Sequence, residues 1–342
     1  MGHGMIATAV PDEPQRWVWG RSFGRGELIL VPEAMAFYGT GHHPVTGHGV
    51  AYETSSGCAL GGSVEEAIPH GLLEVAERDA FLLTWYGRLP VPETDLSTAA
   101  DRRVGLLAAA ITAEKGYRPR AFDMTMEQGI PAVLALALAP ERAGDGEPAL
   151  PCAAAAHPDP ETALRSALYE VGPGVPHVRR RWAEPGAAER VRRMLADPFE
   201  VRMLTGRVLL HAAPEAAARL GFLTGAAPSR RVADVGRRER GGFAADDLRD
   251  NVHEAVARYA ASGLVGLVVI VGLVVDQTAA EHRAGGLRCV KVLISGTLPM
   301  TFGHRNRRVT GLPRLHRVPH LLGLRERPLT DAEINPHPHP FP

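Results

Sequence analysis

The chain has 342 residues, is 45% hydrophobic, and balances 38 lysines and arginines against 38 aspartates and glutamates. That length and apolar share support one large core or two smaller ones. A formal net charge of zero removes the bulk electrostatic case for a nucleic-acid partner or an acidic solvating tail. Cys58, Cys152 and Cys289 lie far apart, with no CxxC or zinc-ligand spacing, so reduced thiols of a cytoplasmic protein are expected. The first residues lack a basic region followed by an apolar run. The longest apolar run, 264–275, is too short for a hydrocarbon layer of roughly 30 Å, so a buried strand is expected there and no membrane span.

In chain order, residues 16–31 read as short strands ended by Pro32, and His42 and His43 fall in a Gly-rich loop whose expected role is a polar loop rather than a metal site. A helix is expected from Ser63, because Ser63 and Glu66 have the S-x-x-E spacing of a capping box. Pro69 should kink it or shift its start. A further helix is expected from Thr98 to Lys115, then strands near 118–123 and 131–138, a polar loop at 141–148, and a helix at 160–171 broken by Gly172 to Pro176. Residues 177–245 show only weak periodicity. Asp246 or Asp247 should cap a helix running to Ala260, with Leu248, Val252, Val256 and Tyr259 on one face. Two strands, 264–275 and 287–294, follow around a loop with Asp276 and Thr278. The alternation predicts mixed α/β structure, with sheets flanked by helices. The tail from Asn335 has proline at every second position and cannot be helical.

The helix begun at Ser63 carries the most chemistry. At 100° per residue Glu66, Glu74 and Glu77 share an arc of about 80°. His70 lies between them, Arg78 sits at the edge, and Ile68, Leu72, Val75 and Leu82 occupy the opposite face. Two readings fit. The stripe is either a solvated acidic face with Arg78 paired to Glu74, or a cradle in which carboxylates and phosphate oxygens share Mg²⁺ and Arg78 meets a phosphate.

A family resemblance enters through these residues. SSGCALGGSVEEA (55–67), continuing to EVAERDAF (74–81), resembles the nucleotide-binding core of the YcaO family, which pairs a small Gly-containing loop with a helix bearing E-A and then E-x-x-E-R. HPDPETALRSALYE (157–170), GLRCVKVLISG (286–296), FGHRNRR (302–308) and the ending PHPFP (338–342) are similar to its later segments, in the same order. The resemblance implies a YcaO-type fold over 1–325 and a functional proline-rich tail over 326–342. It implies ATP and Mg²⁺ as cofactors, with Glu66, Glu74 and Glu77 as metal ligands. Ser56, Gly57, Arg78 and Lys291 would lie at the nucleotide, and Pro338, Pro340 and Pro342 would reach toward the reacting centre. The implied activity is cyclodehydration of Cys, Ser or Thr in a ribosomal precursor peptide to azolines. The implied partners are that peptide and a leader-binding protein resembling ubiquitin-activating enzymes; a flavin dehydrogenase and a homodimer are compatible with it. A non-catalytic subunit that docks peptide in a modifying complex is the other reading.

Four features depart from the family pattern, one of them Pro69 within the ligand helix. The upstream S-x-x-x-E-x-x-E-R helix has no counterpart, so an N-terminally truncated version of the fold is expected. Pro173 stands where glutamine is usual, and Ser295 replaces a proline before Gly296. The cluster Arg305, Arg307 and Arg308 reads equally as an anion site or a solvated loop, and Arg179 to Arg181 as surface. His337 and His339 are read as part of an extended tail. Cys58, with no basic partner tied to it by motif, is read as a small buried thiol.

Overall fold

The computed structural model describes residues 16–23, 26–37, 54–140, 147–225, 229–236, 245–262 and 273–341. The expected loop of His42 and His43, most of the loop at 141–148, residues 264–272 of the expected apolar strand, and Pro342 lie outside them. The chain divides into two units, Met1–Val75 with Ala245–Thr301, and Ala76–Ala244 with Phe302–Pro342.

In the first unit β1 (Trp17–Ser22) and β2 (Leu28–Pro32) form a hairpin followed by the short helix α1 (Glu33–Ala36). Next come β3 (Cys58–Gly61) and helix α2 (Val64–Gly87), of which 64–75 belong to this unit. Ser63 caps α2 as expected, its Oγ accepting the Glu66 N–H at 3.2 Å. Pro69 neither shifts the start nor ends the helix, which runs unbroken for 24 residues. Ile68, Leu72, Val75 and Leu82 are all buried, as the apolar stripe requires.

In the second unit β4 (Glu93–Asp95) leads to α3 (Arg102–Lys115), β5 (Arg118–Asp123), β6 (Ala132–Leu138) and β7 (Cys152–Ala156). The helix expected from Thr98 starts four residues later. Asp95 and Asp101 each turn a carboxylate onto backbone N–H groups, closing a 3-10 turn at Leu96–Thr98 and capping α3 separately. The long helix α4 (Pro160–Trp182) follows, then α5 (Ala187–Ala196), α6 (Leu204–His211), α7 (Pro214–Ala217), α8 (Gly221–Thr224) and β8 (Ser229–Arg231). The break expected at 172–176 is absent: α4 continues through Pro173 and Pro176. Val171, Val175 and Val178 extend its buried stripe, and that packing outweighs the missing donors.

The chain then returns to the first unit with α9 (Leu248–Ala261), capped by Asp247, then β9 (Leu273–Asp276), α10 (Ala280–Ala284) and β10 (Arg288–Leu293). It closes in the second unit with α11 (Pro313–Leu321) and the tail. Each unit has a sheet of five described strands, ordered β2-β1-β9-β10-β3 and β7-β6-β5-β4-β8, antiparallel throughout except for β4 with β8. The fold is therefore mixed α/β, with neither sheet closed into a barrel. In the second unit α4 lays Leu164, Ala167, Leu168, Val171 and Val175 against Val133, Ala135 and Ala137 of β6 and Ala153 and Ala155 of β7. No described helix is long and apolar enough to cross a membrane.

One buried charge cluster fastens α11 to the second half of α2. Arg314 Nη1 donates to both oxygens of Asp79, at 2.6 and 2.5 Å. Its Nη2 donates to Glu127 Oε2 at 3.0 Å, and its Nε to Glu127 Oε1.

Candidate functional site

The residues expected at the nucleotide begin in the first unit. Gly57 adopts φ +84°, a conformation strained for any residue with a Cβ. A Cβ there would stand 2.1 Å from the backbone oxygen of Val292. The glycine thus lets the loop lie against β10, where Val292 N–H donates to Gly57 O at 2.7 Å. Gly71 on α2 serves the same contact from the other side, since a Cβ on it would be 2.8 Å from Gly57 O. With the loop seated, the Gly57 N–H points at Glu74 Oε2, 3.1 Å away. Glu66 is oriented likewise: its Oε2 accepts the Gly62 N–H at 2.6 Å. Gly57→Ala is therefore expected to lower unfolding free energy by about 2–4 kcal/mol, combining left-handed strain with overpacking. Chemical denaturation measures this, and a loss within 0.5 kcal/mol, roughly a neutral surface change, would refute it.

Lys291 lies opposite Cys58 in the β10–β3 pairing and is 1% exposed. Its ammonium donates to Thr54 O. Burial pushes its pKa down, while the neighbouring Cys58 and Glu74 oppose that shift. Ser56 is tied to the same loop through Thr54, whose Oγ1 accepts the Ser56 N–H at 3.2 Å. Gly57, Glu74, Lys291 and Cys58 thus come together in one unit. No motif connects Lys291 to Cys58; only the strand register does, and the thiol is half-buried rather than sealed away.

The remaining expected residues lie in the second unit. Arg78 Nε is 3.4 Å from Glu77 Oε1, and its guanidinium stacks 4.3 Å over the Phe341 ring. Arg78 therefore meets both Glu77 and the tail. Pro338 and Pro340 are buried. So is His339, which lies edge-on to Phe81 and Tyr86. Arg307 donates to Pro336 O at 3.1 Å, and Arg305 stacks on Phe199, so neither is a bare basic loop.

Among the described residues no three His, Cys, Asp or Glu side chains converge on a point that could hold a metal ion. The carboxylates are therefore not a preformed cage. Mg²⁺ seldom uses one: it takes one or two carboxylates and completes its octahedron with phosphate oxygens and water. Each backbone N–H occupies one oxygen of Glu66 or Glu74, and a carboxylate offers about four lone-pair sites. The donor set therefore fits an ion arriving with a nucleotide.

Comparison with known proteins decides the family. Residues 5–298 match the family model described as YcaO cyclodehydratase, ATP- and Mg²⁺-binding. The chain belongs to the YcaO family. Two curated relatives are similar over part of their length. An uncharacterised protein in the tfuA 3′ region of Rhizobium leguminosarum bv. trifolii is 31% identical over 176 residues, 48% of this chain and 41% of that protein. An uncharacterised protein of Methanothermobacter thermautotrophicus is 34% identical over 158 residues, 45% and 39% respectively. The matched region thus spans about two-fifths of those relatives.

Among solved structures, a heterocyclase in complex with substrate and cofactor superposes with TM-score 0.70 at 26% identity, covering 95% of this chain and 38% of that one. The heterocyclase TruD gives 0.68 at 26%, covering 95% and 39%. YcaO from Methanopyrus kandleri, bound with AMPPCP and Mg²⁺, shares the fold at TM-score 0.57 and 23% identity, covering 85% and 67%. The YcaO heterocyclase fold expected from the sequence is therefore the fold found.

Proposed function

We propose that this YcaO chain is a subunit of an ATP-dependent peptide cyclodehydratase, with a domain over 1–325 and a working tail over 326–342. The observation that carries the reading is the Gly57 N–H fixed on the Glu74 carboxylate, on a helix that also bears Glu66, Glu77 and Arg78. A carboxylate oriented by a backbone N–H is in place before a ligand arrives, as electrostatic catalysis needs.

The chemistry asks for orientation more than for a protein nucleophile. A Cys, Ser or Thr side chain of the precursor peptide adds to the preceding backbone carbonyl. The resulting hemiorthoamide oxygen takes the γ-phosphoryl group of ATP and departs as phosphate, leaving a C=N bond and the azoline ring. Phosphorylation converts a poor leaving group into a good one. Mg²⁺ ions, shared between the carboxylates of Glu66, Glu74 and Glu77 and the phosphates, would supply charge neutralisation. Ser56, Gly57 and Lys291 would lie along the nucleotide, and Arg78 would meet a phosphate oxygen. Pro338, Pro340 and Pro342 would present the end of the tail to the reacting peptide. The peptide itself would be delivered by a leader-binding partner protein.

The test uses the full chain with precursor peptide, partner and Mg-ATP. The wild type should remove one water mass per ring. Glu74→Gln keeps an acceptor for the Gly57 N–H but loses the charge, and it should slow ring formation about 100-fold, the scale of one lost electrostatic contact in an active site. A wild type that binds peptide and partner yet never removes water would make the chain a docking subunit instead.

A further inference from the structure

The tail poses a hydrogen-bonding problem. Proline at 336, 338, 340 and 342 leaves N–H groups only on His337, His339 and Phe341. Such a segment cannot wind as a helix or pair on both edges as a central strand, because alternate donors are missing and each proline fixes φ. Its carbonyls remain, and an extended proline-alternating chain turns them in successive directions, so one neighbouring strand cannot satisfy them. Buried carbonyls left unpaired are costly.

The second unit meets them one by one. Arg307 Nη1 donates to Pro336 O at 3.1 Å, Trp85 Nε1 to His337 O at 3.0 Å, and His211 Nε2 lies 3.0 Å from Pro338 O. A carbonyl only accepts, so His211 Nε2 carries the proton. Three consecutive carbonyls are thus read by three side chains from three elements. Trp85 comes from α2, His211 from α6, and Arg307 follows the 3-10 turn at His304–Asn306. The clamp is braced internally: the His211 ring stands edge-on to Trp85 at 5.5 Å, and Asn335 Nδ2 donates to Trp85 O at 3.1 Å. Beyond it, Phe341 packs 4.7 Å from Phe81 and under Arg78.

We infer that Trp85, His211 and Arg307 form a carbonyl-reading clamp that positions the C-terminal tail and thereby sets Phe341 beneath Arg78. Its bearing on catalysis rests on the tail role proposed above; the clamp itself does not. Trp85, His211 and Arg307 are positioning residues, and none need touch the substrate.

The experiment compares the full-length wild type with His211→Leu, His211→Gln and Arg307→Ala. Hydrogen exchange is read at the amides of His337, His339 and Phe341, with peptides from 160–182 as a control, and azoline formation is followed in parallel. Loss of one clamp bond should speed tail exchange about tenfold and leave the control unchanged. Gln, which restores a donor, should return exchange to near wild type and recover kcat without altering the KM for ATP. Arg307→Ala removes an exposed contact and keeps the test open should the buried His211→Leu misfold. Tail exchange equal to wild type in Arg307→Ala and His211→Leu would overturn the clamp. So would equal acceleration of tail and control, because that marks a packing role only. A loosened tail with undiminished ring formation would leave the clamp standing and remove the tail from the proposed reaction. Lost ring formation in Glu74→Gln with a normal tail bears only on the nucleotide end.

Discussion

Arg314→Met is expected to remove about 3–5 kcal/mol of unfolding free energy, the scale of stripping one partner from a buried ion cluster. Asp79 is 0% exposed and Arg314 8% exposed, and the guanidinium serves Asp79 and Glu127 together. Burial alone would depress the arginine's pKa, but the two carboxylates outweigh it and the net shift is upward. Methionine fills similar volume, so the loss comes from two desolvated carboxylates rather than from a cavity. Part of it will be relieved by proton uptake, which predicts that the variant's deficit relative to wild type narrows as pH is lowered toward 5. Arg314→Lys should rescue poorly, since a point ammonium cannot bond two carboxylates in a fork. The triple replacement Asp79→Asn, Glu127→Gln, Arg314→Met should recover most of the loss by leaving no buried charge. Guanidinium titration decides; a single-variant loss under 1 kcal/mol, typical of exposed pairs, would mean the cluster is solvated. The consequence reaches function because Asp79 directly follows Glu77 and Arg78 on α2.

Acidification from pH 7 to 5 is expected to remove a comparable amount of stability, about 4 kcal/mol, through histidines buried in the second unit. Burial first, then nearby arginines, drive the pKa of His211 down to about 3 and that of His304 down to about 4. His339 is pushed well below its ordinary value for the same reasons. In the unfolded chain these rings titrate near 6.5. Between those limits the unfolded state binds more protons, so stability is whole above pH 6.5 and falls as the pH drops toward 4 and then 3. At pH 5 His211 and His304 each account for about 2 kcal/mol at roughly 1.4 kcal/mol per unit. Asp101 and Glu333, held low by arginines, weaken the fold only below their own unfolded values, in more acidic solution. The window from 6.5 to 5 therefore isolates the histidines. A flat stability profile across it would show that the rings are solvated in the folded protein. Because His211 holds Pro338 O, the tail should loosen before the core does.

What the sequence revealed was local. Ser63 as a cap, the acidic stripe and the apolar face of Ile68, Leu72, Val75 and Leu82 follow from a period of 3.6, and the structure has them. Asp247 as the cap of α9 is equally local. The ordered motifs also pointed to the family. The missed features join residues distant in sequence. Lys291 beside Cys58 depends on the register of β3 with β10, and Arg314 between Asp79 and Glu127 on packing across more than 180 positions. The tail's prolines were legible, but not the side chains that answer its carbonyls. Nothing local distinguishes a buried histidine such as His339 from an exposed one such as His70.

Helix α4 carries a consequence for the order in which the second unit assembles. Pro173 and Pro176 deprive the carbonyls of Tyr169 and Gly172 of their usual donors, and Gly172 and Gly174 flank the same turn. Two prolines and two glycines oppose a helix by roughly 8 kcal/mol relative to alanine. No nascent turn there survives by itself. The segment becomes helical only once Val171 and Val175 find the small alanines of β6 and β7. The sheet must therefore act as the template, and the second half of α4 is a late arrival on the folding route rather than its nucleus.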